Sequence, residues 1–278
     1  DRAPAFAEAE GFGRQASGSA EGPLLLVENL QDDGPGSFRA AMMTRGPRQI
    51  GFRVSGEIAL KSVLRVSEPF VTVDGATAPS QGITFSGHGF LVTTHDVVLR
   101  HFRIRPGNDS HDEDALSFSD ARRCIADHLS LSWGTDEVCS ITGLSDEITV
   151  QWCLISEGLN RENHGYAGVL GGERVSWHHN LMAHHVSRVP RFAGMRDVAC
   201  YAEAHSDGRP FFIIPWNGMV LIGTTDTRCD ADPATVHAEE AEIAWLLAEA
   251  RQVFPGAGLG RESVLYAYSG LRPLPRQG

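Results

Sequence analysis

A short pattern of apolar residues recurs through the first two thirds of the chain, and it restricts the possible folds more than any other feature. Each copy alternates apolar and polar residues, as a strand does, and is followed by turn-forming residues. The starts of the five copies are 26, 27, 24 and 27 residues apart. The copies are Val71-Thr-Val-Asp, Val97-Val-Leu-Arg-His-Phe-Arg-Ile, Cys124-Ile-Ala-Asp-His-Leu-Ser-Leu, Ile148-Thr-Val-Gln-Trp-Cys-Leu-Ile and Val175-Ser-Trp-His-His-Asn-Leu-Met.

Repeats of this length, made only of short strands and turns, predict a parallel β-helix. In that fold each coil buries its inward side chains against the coils above and below, so equivalent residues stack in columns. A β-sandwich or a propeller would need hairpin turns, which this part of the sequence lacks. The two predicted columns are His101, His128, Trp152 and His179, and Ile104, Leu131, Ile155 and Met182.

The pattern changes near residue 193. Two apolar runs, beginning at Phe211 and Val220, flank Asn217-Gly218, a pair typical of a tight hairpin turn. Apolar residues then recur with helical spacing between Glu239 and Val253, with Ile243, Leu246, Leu247 and Ala250 on one face. The sequence therefore predicts a mainly β chain. A truncated β-helix over residues 1–192 is followed by a small α+β segment over 193–278, with a β-hairpin and one amphipathic helix.

The charge and cysteine patterns exclude several classes of function. The 278 residues carry a formal net charge of −11, and no cluster of Lys and Arg forms a stripe for nucleic acid phosphates. No apolar run has the roughly 18 residues of a membrane-spanning helix. Five scattered cysteines indicate neither a zinc ribbon nor a disulfide framework. We therefore expect no nucleic acid partner and no membrane partner.

Four histidines lie within eight residues, at His178, His179, His184 and His185. Neighbouring residues of a strand point to opposite faces, so these four side chains cannot converge on a transition metal without a bend in the chain. The repeat alignment instead predicts that His179 is a stacked core residue and that His178 points outward.

Several motifs in the first 192 residues resemble bacterial pectate lyases of the right-handed parallel β-helix type. The motifs are Ala9-Glu-Gly-Phe-Gly, Asp33-Gly-Pro-Gly-Ser-Phe-Arg, Val54-Ser-Gly, Asp127-His-Leu-Ser-Leu-Ser-Trp-Gly-Thr-Asp-Glu and His184-His-Val-Ser-Arg-Val-Pro-Arg-Phe. The resemblance implies secretion or a periplasmic location, and calcium-dependent cleavage of an acidic polysaccharide, polygalacturonate, by β-elimination.

The same resemblance implies a calcium site formed by Asp112, Asp114 and Asp136, while the last acidic position of that site falls on Ser140. The turn that contains Asp112 carries four carboxylates in six residues, and either a cation or water would relieve their repulsion. A solvated loop is therefore the alternative to a calcium site.

Arg188 corresponds to the catalytic base of these lyases, and Arg191, Tyr166 and His164 are the candidate substrate-binding residues. An arginine rarely loses its proton in a protein, so the alternative is that Arg188 only binds a substrate carboxylate. The family's usual lysine aligns with Tyr166, and a further arginine aligns with Ala193. These departures leave open an impaired or inactive site.

The segment from about residue 190 to 274 resembles the middle of an FAD-dependent glycerol-3-phosphate dehydrogenase. The likeness rests on Asp207-Gly-Arg-Pro-Phe-Phe-Ile-Ile-Pro-Trp, Leu221-Ile-Gly-Thr-Thr-Asp-Thr and Tyr268-Ser-Gly-Leu-Arg-Pro-Leu. It implies a substrate-phosphate contact at Arg272. The dinucleotide-binding βαβ unit of that family is absent from this sequence, so FAD is not an expected cofactor. The two resemblances together predict a chimera.

Three functions are therefore compatible with the sequence. The first is calcium-dependent cleavage of polygalacturonate, with an activity that is either intact or impaired by the truncation. The second is a catalytically silent β-helix that binds carbohydrate. The third is a non-functional fragment of a flavin-dependent dehydrogenase joined to an unrelated region.

Overall fold

The computed structural model describes residues 2–19, 22–107, 112–161, 164–192, 200–216, 219–227, 232 and 235–270. Contacts within the chain divide it into two compact units, Asp1–Met195 and Arg196–Gly278. Among the described residues, no helix combines the length and the apolar character needed to cross a bilayer.

In the part of the chain that the structure describes, three parallel sheets form the first unit. Six coils each contribute one strand to every sheet, and the first strand of the chain adds a seventh strand to the first sheet. The first sheet contains β1 (Leu24–Val27), β2 (Arg48–Phe52), β5 (Val71–Asp74), β8 (His95–Arg100), β11 (Arg122–Asp127), β14 (Asp146–Gln151) and β17 (Val175–His178). The second contains β4 (Leu64–Val66), β7 (Phe90–Val92), β10 (Leu116–Ser119), β13 (Cys139–Thr142), β16 (Val169–Leu170) and β19 (Arg191–Phe192). The third contains β3 (Gly56–Ala59), β6 (Ile83–Ser86), β9 (Arg103–Arg105), β12 (Ser130–Ser132), β15 (Leu154–Ser156) and β18 (Leu181–Ala183).

This arrangement confirms the predicted parallel β-helix and its register. In the first sheet Cys124 pairs with Val97 on one side and with Ile148 on the other, as the repeat alignment requires. In the third sheet Leu131 pairs with Ile104 and Ile155, and Ile155 pairs with Met182. The inward column is closely packed, because Ile104, Leu131 and Ile155 are each fully buried.

We expect Leu131→Ala to lower the free energy of unfolding by about 3 kcal/mol, because it leaves a cavity between two coils. The matched control is Leu154→Ala in the adjacent strand β15, since Leu154 is 38% exposed and loses far less packing. Urea denaturation followed by far-ultraviolet circular dichroism measures both changes. Equal losses in the two variants would contradict the inward placement of Leu131.

The predicted column of His101, His128, Trp152 and His179 also exists, but it lies on the outside of the β-helix. Ring centroids are 5.1 Å apart between His101 and His128, 6.2 Å between His128 and Trp152, and 4.2 Å between Trp152 and His179. All four residues have positive φ, between 52° and 62°. This left-handed conformation turns the chain between the first and third sheets and directs the rings outward. His179 is exposed, so the prediction that it is a core residue is wrong.

One short helix, α1 (Phe38–Met42), contacts β1 in the first coil. Ser37 caps the helix by accepting a hydrogen bond from the Ala40 amide. The fully buried ring of Phe38 packs 4.5 Å from Phe85 and 5.8 Å from Phe90, measured between centroids. α1 therefore contributes apolar area to the core of the β-helix.

The second unit has a different architecture. An antiparallel sheet contains β20 (Cys200–Glu203), β21 (Pro210–Trp216) and β22 (Met219–Gly223), followed by the helix α2 (Glu240–Val253). The predicted α+β segment with a hairpin and one amphipathic helix is confirmed, although the Asn217-Gly218 turn lies outside the described residues. The sequence did not predict that Glu249 of α2 is buried, where it accepts a 2.6 Å hydrogen bond from the His205 amide.

Candidate functional site

Three carboxylates meet where two adjacent coils enter the second sheet. Asp114, Asp136 and Glu137 each offer an oxygen, and these oxygens all lie within 4.8 Å of one another. The parallel register brings them together, because Leu116 of β10 pairs with Cys139 of β13 and each strand follows its acidic residues by two positions. The Glu137 amide also donates a 2.9 Å hydrogen bond to Oδ1 of Asp114. We call Asp114, Asp136 and Glu137 the acidic triad.

The acidic triad is electrostatically unfavourable without a cation. Burial raises the pKa of Asp114, against the effect of hydrogen bonds from the Ser117 hydroxyl, the Glu137 amide and Ser140. Burial, together with the neighbouring charges of Asp114 and Asp136, raises the pKa of Glu137 to about 7, although Arg188 acts in the opposite direction. Asp114 and Glu137 therefore resist ionisation beside a third carboxylate, and a divalent cation bound to these oxygens would relieve the repulsion.

Arg188 reaches the acidic triad from two coils further along the β-helix than Glu137, with Tyr166 on the coil between them. Tyr166 forms parallel bridges with Glu137 on one side and with Ser187 on the other, which places Arg188 one residue beyond this column. Nη1 of Arg188 donates a hydrogen bond to Oε1 of Glu137. The guanidinium carbon also lies 4.1 Å from the centroid of the Tyr166 ring. The structure therefore brings Arg188 and Tyr166, two of the predicted site residues, next to the carboxylates.

The remaining predicted substrate-binding residues lie at the edge of this group. Nε2 of His164 is 3.9 Å from Oδ1 of Asp136, and its ring centroid is 4.9 Å from that of Tyr166. Arg191 lies in β19, where its amide donates to the Gly168 carbonyl, and the residue is exposed. His164 and Arg191 are thus accessible to a solvent-borne ligand.

Asp112, the third predicted calcium ligand, is exposed and does not belong to the acidic triad. It has a φ of 50° and precedes the point at which the chain enters β10. The third carboxylate that lies beside Asp114 and Asp136 belongs to Glu137. Sequence reasoning missed Glu137 because neighbours such as Asp136 and Glu137 point apart in a regular strand, whereas these two residues precede β13.

Three further positions were singled out by the sequence, and the structure describes one of them, Ser140. Ser140 hydrogen-bonds to Asp114 and accepts a 3.3 Å hydrogen bond from the Val169 amide, so a neutral residue occupies the usual fourth acidic position. Ala193 and Arg272 lie outside the described residues. The predicted substrate contact of Arg272 therefore stays a prediction.

The comparisons with known proteins fit these features. The probable pectate lyase C of Aspergillus flavus is 39% identical over 198 residues, which cover 69% of this chain and 46% of that protein. The probable pectate lyase C of Aspergillus fumigatus is 40% identical over 198 residues, with the same coverage. This chain is pectate lyase-like over most of its length. It spans about half the length of the pectate lyases that it matches.

A solved structure supports the fold of the pectate lyase-like unit, residues 1–195. The crystal structure of jun a 1, the major allergen from cedar pollen, matches with a TM-score of 0.51 over 66% of this chain and 61% of that chain. The sequence identity is 20%, so this match supports the architecture alone.

The end of the chain has different relatives. Residues 174–278 match the family model of FAD-dependent oxidoreductases. A glycerol-3-phosphate dehydrogenase of Synechocystis sp. is 51% identical over 87 residues, which cover 31% of this chain and 16% of that protein. The likeness to a dehydrogenase fragment, predicted from residues 190 to 274, is thereby confirmed, and the family model extends back into β17.

Proposed function

We propose that the pectate lyase-like unit cleaves polygalacturonate by calcium-dependent β-elimination. The observation that carries the proposal is the convergence of the acidic triad with Arg188. A secreted location fits the same proposal, because polygalacturonate is a polymer outside the cell that produces it.

Asp114, Asp136 and Glu137 are the residues proposed to hold Ca²⁺. Their donor set fits this ion, since Ca²⁺ prefers several hard oxygen ligands and tolerates irregular geometry. A bound Ca²⁺ would neutralise uronate carboxylates and stabilise negative charge that develops on them. Asp136 is the most accessible member, with 37% of its side chain exposed, and is therefore the one best placed to face a substrate.

β-Elimination transfers the proton of the carbon that carries the uronate carboxylate to a base, and Arg188 is the candidate for that base by the family resemblance. The bonding electrons form a double bond to the next carbon, the glycosidic bond of that carbon breaks, and the leaving oxygen takes up a proton. Arg188 is the residue proposed to contact this reacting region. Its guanidinium is positioned by Glu137 and the Tyr166 ring, so a uronate carboxylate would compete with Glu137 for the same donors.

Incubation of the full chain with polygalacturonate and Ca²⁺ is expected to produce an unsaturated product, detected by its ultraviolet absorbance. A chelator should abolish product formation. Arg188→Ala should lower the rate by about 100-fold or more, the usual size of a lost proton-transfer group. The matched control is Arg122→Ala, which removes only surface ion pairs with Asp146 and Glu147 and should leave the rate unchanged.

Other outcomes would contradict specific parts of the proposal. Product formation that resists the chelator would exclude calcium dependence. Binding of calcium and polygalacturonate without any product would identify a silent carbohydrate-binding β-helix. Equal activity of Arg188→Ala and Arg122→Ala would remove Arg188 from the reaction.

A further inference from the structure

A second cluster of potential metal ligands lies outside the proposed active site. Glu10 belongs to the N-terminal segment. His178 is the last residue of β17, and His179 follows it at the corner where the chain leaves the first sheet. We propose that Glu10, His178 and His179 bind one divalent transition metal of the Zn²⁺ class, which joins the N-terminal segment to β17. This inference does not depend on the proposed lyase activity.

The spacing of the donor atoms suits a single small ion. The Nδ1 atoms of His178 and His179 are 2.8 Å apart, and Oε2 of Glu10 is 3.9 Å from Nδ1 of His178. Two ligand atoms on a tetrahedral zinc lie about 3.3 Å apart, given metal–ligand distances near 2 Å. Shifts of about half an ångström would bring these two distances to that value, and the donor atoms of Glu10 and His179 lie within 4.8 Å of each other.

The backbone explains why adjacent histidines converge here. Consecutive residues of an extended strand point to opposite faces, and on that basis the sequence predicted no convergence without a bend in the chain. His179 has a φ of 55°, which ends the strand and turns the second imidazole toward the first. The backbone thus supplies, at His179, the bend that convergence of neighbouring histidines requires.

Hydrogen bonds hold the backbone of Glu10, the residue that supplies the carboxylate of the cluster. The Glu10 amide donates a 3.0 Å hydrogen bond to Oε1 of Gln151, and the Glu10 carbonyl accepts one of 3.0 Å from the Thr149 hydroxyl. Two residues later the Phe12 amide donates to the Ser176 hydroxyl. A Cβ atom on the intervening Gly11 would lie 2.5 Å from Ser176, so the segment packs directly on β14 and β17.

The imidazoles are in a suitable state and orientation for ligation. A 2.8 Å contact between two Nδ1 atoms requires that at least one of them lacks a proton, and an unprotonated nitrogen is what a metal binds. His179 also stacks on Trp152, with centroids 4.2 Å apart and planes inclined by 9°, which fixes the ring. Imidazole nitrogen favours Zn²⁺, Cu²⁺ and Ni²⁺ over Ca²⁺. This cluster and the acidic triad should therefore differ in metal preference.

Calorimetric titration of the full chain with Zn²⁺, in excess Ca²⁺, tests the proposal. We expect His179→Ala and Glu10→Gln each to weaken one equivalent of bound Zn²⁺ by about tenfold or more. His184→Ala is the matched control, because this exposed histidine pairs with Glu157 outside the cluster and its loss should leave that equivalent unchanged. Failure of the wild-type chain to bind Zn²⁺, or equal binding by all three variants, would overturn the proposal.

Hydrogen exchange supplies a second readout that is independent of affinity. Bound Zn²⁺ should slow exchange of the Glu10 and Phe12 amides, because release of the N-terminal segment would then require loss of a metal ligand. The slowing should disappear in His179→Ala. Zinc that binds at full affinity without slowing these amides would contradict a link between the N-terminal segment and β17.

Discussion

Asp136→Asn is expected to weaken calcium binding about 10- to 100-fold while changing the free energy of unfolding by no more than about 0.5 kcal/mol. Calcium affinity depends on the number of charged oxygen ligands, and the substitution removes one of three. The fold depends little on Asp136, since its side chain is 37% exposed and its contact with His164 spans 3.9 Å. Calorimetric titration with Ca²⁺ and urea denaturation measure the two quantities.

Asp112→Asn provides the matched control for this experiment. Asp112 is an exposed carboxylate close in sequence to Asp114, but it lies outside the acidic triad. Its substitution should change calcium affinity by less than about threefold, the effect of one exposed charge that does not contact the ion. If Asp112→Asn weakened binding as much as Asp136→Asn, Asp112 would be a calcium ligand, as the family resemblance implies, and the acidic triad would not be the complete ligand set.

The course of the β-helix could be read from the sequence because its constraint is periodic. Successive coils must place Ile104, Leu131 and Ile155 in the same inward column. A single alignment of the repeats therefore predicts the strands, the sheet to which each belongs and the register between neighbours. A one-residue error would have moved the whole column to the surface. In this part of the chain, the apolar pattern that predicts each strand therefore also predicts which residues of neighbouring coils pack together.

The conformation of the corners between the first and third sheets could not be predicted from the repeat pattern. His101, Trp152 and His179 occupy equivalent positions, and the alignment indicates that they stack but not on which side. Their side depends on positive φ values, which non-glycine residues adopt rarely and which no apolar pattern reveals. For the same reason the sequence did not predict the close approach of His178 to His179 or the position of Glu137 beside Asp114. Both features lie where a strand begins or ends.

Arg48→Met should lower the free energy of unfolding by about 3 to 5 kcal/mol. Arg48 is fully buried in β2, and no described salt bridge pairs its guanidinium with a carboxylate. It instead donates five hydrogen bonds to backbone carbonyl oxygens. The acceptors are Ala41, Met42, Gly46, Glu68 and Pro69.

These carbonyls explain the size of the expected effect. Ala41 and Met42 lie at the end of α1, where carbonyl groups have no partner within the helix and a positive charge is favourable. Glu68 and Pro69 lie before β5, so one guanidinium ties α1 to the loop of the next coil. Methionine fills a similar volume but donates nothing, which leaves several buried oxygens without hydrogen bonds.

Two further variants separate this network from the loss of a charge. Arg48→Lys keeps the charge but has fewer donors and no planar fork, so we expect it to restore only part of the lost stability. Arg53→Met removes an exposed guanidinium that pairs with Glu28, and it should cost less than about 1 kcal/mol. Urea denaturation followed by circular dichroism compares all three. A loss below 1 kcal/mol in Arg48→Met would mean that water satisfies these carbonyls and that α1 is held by the Phe38 contacts instead.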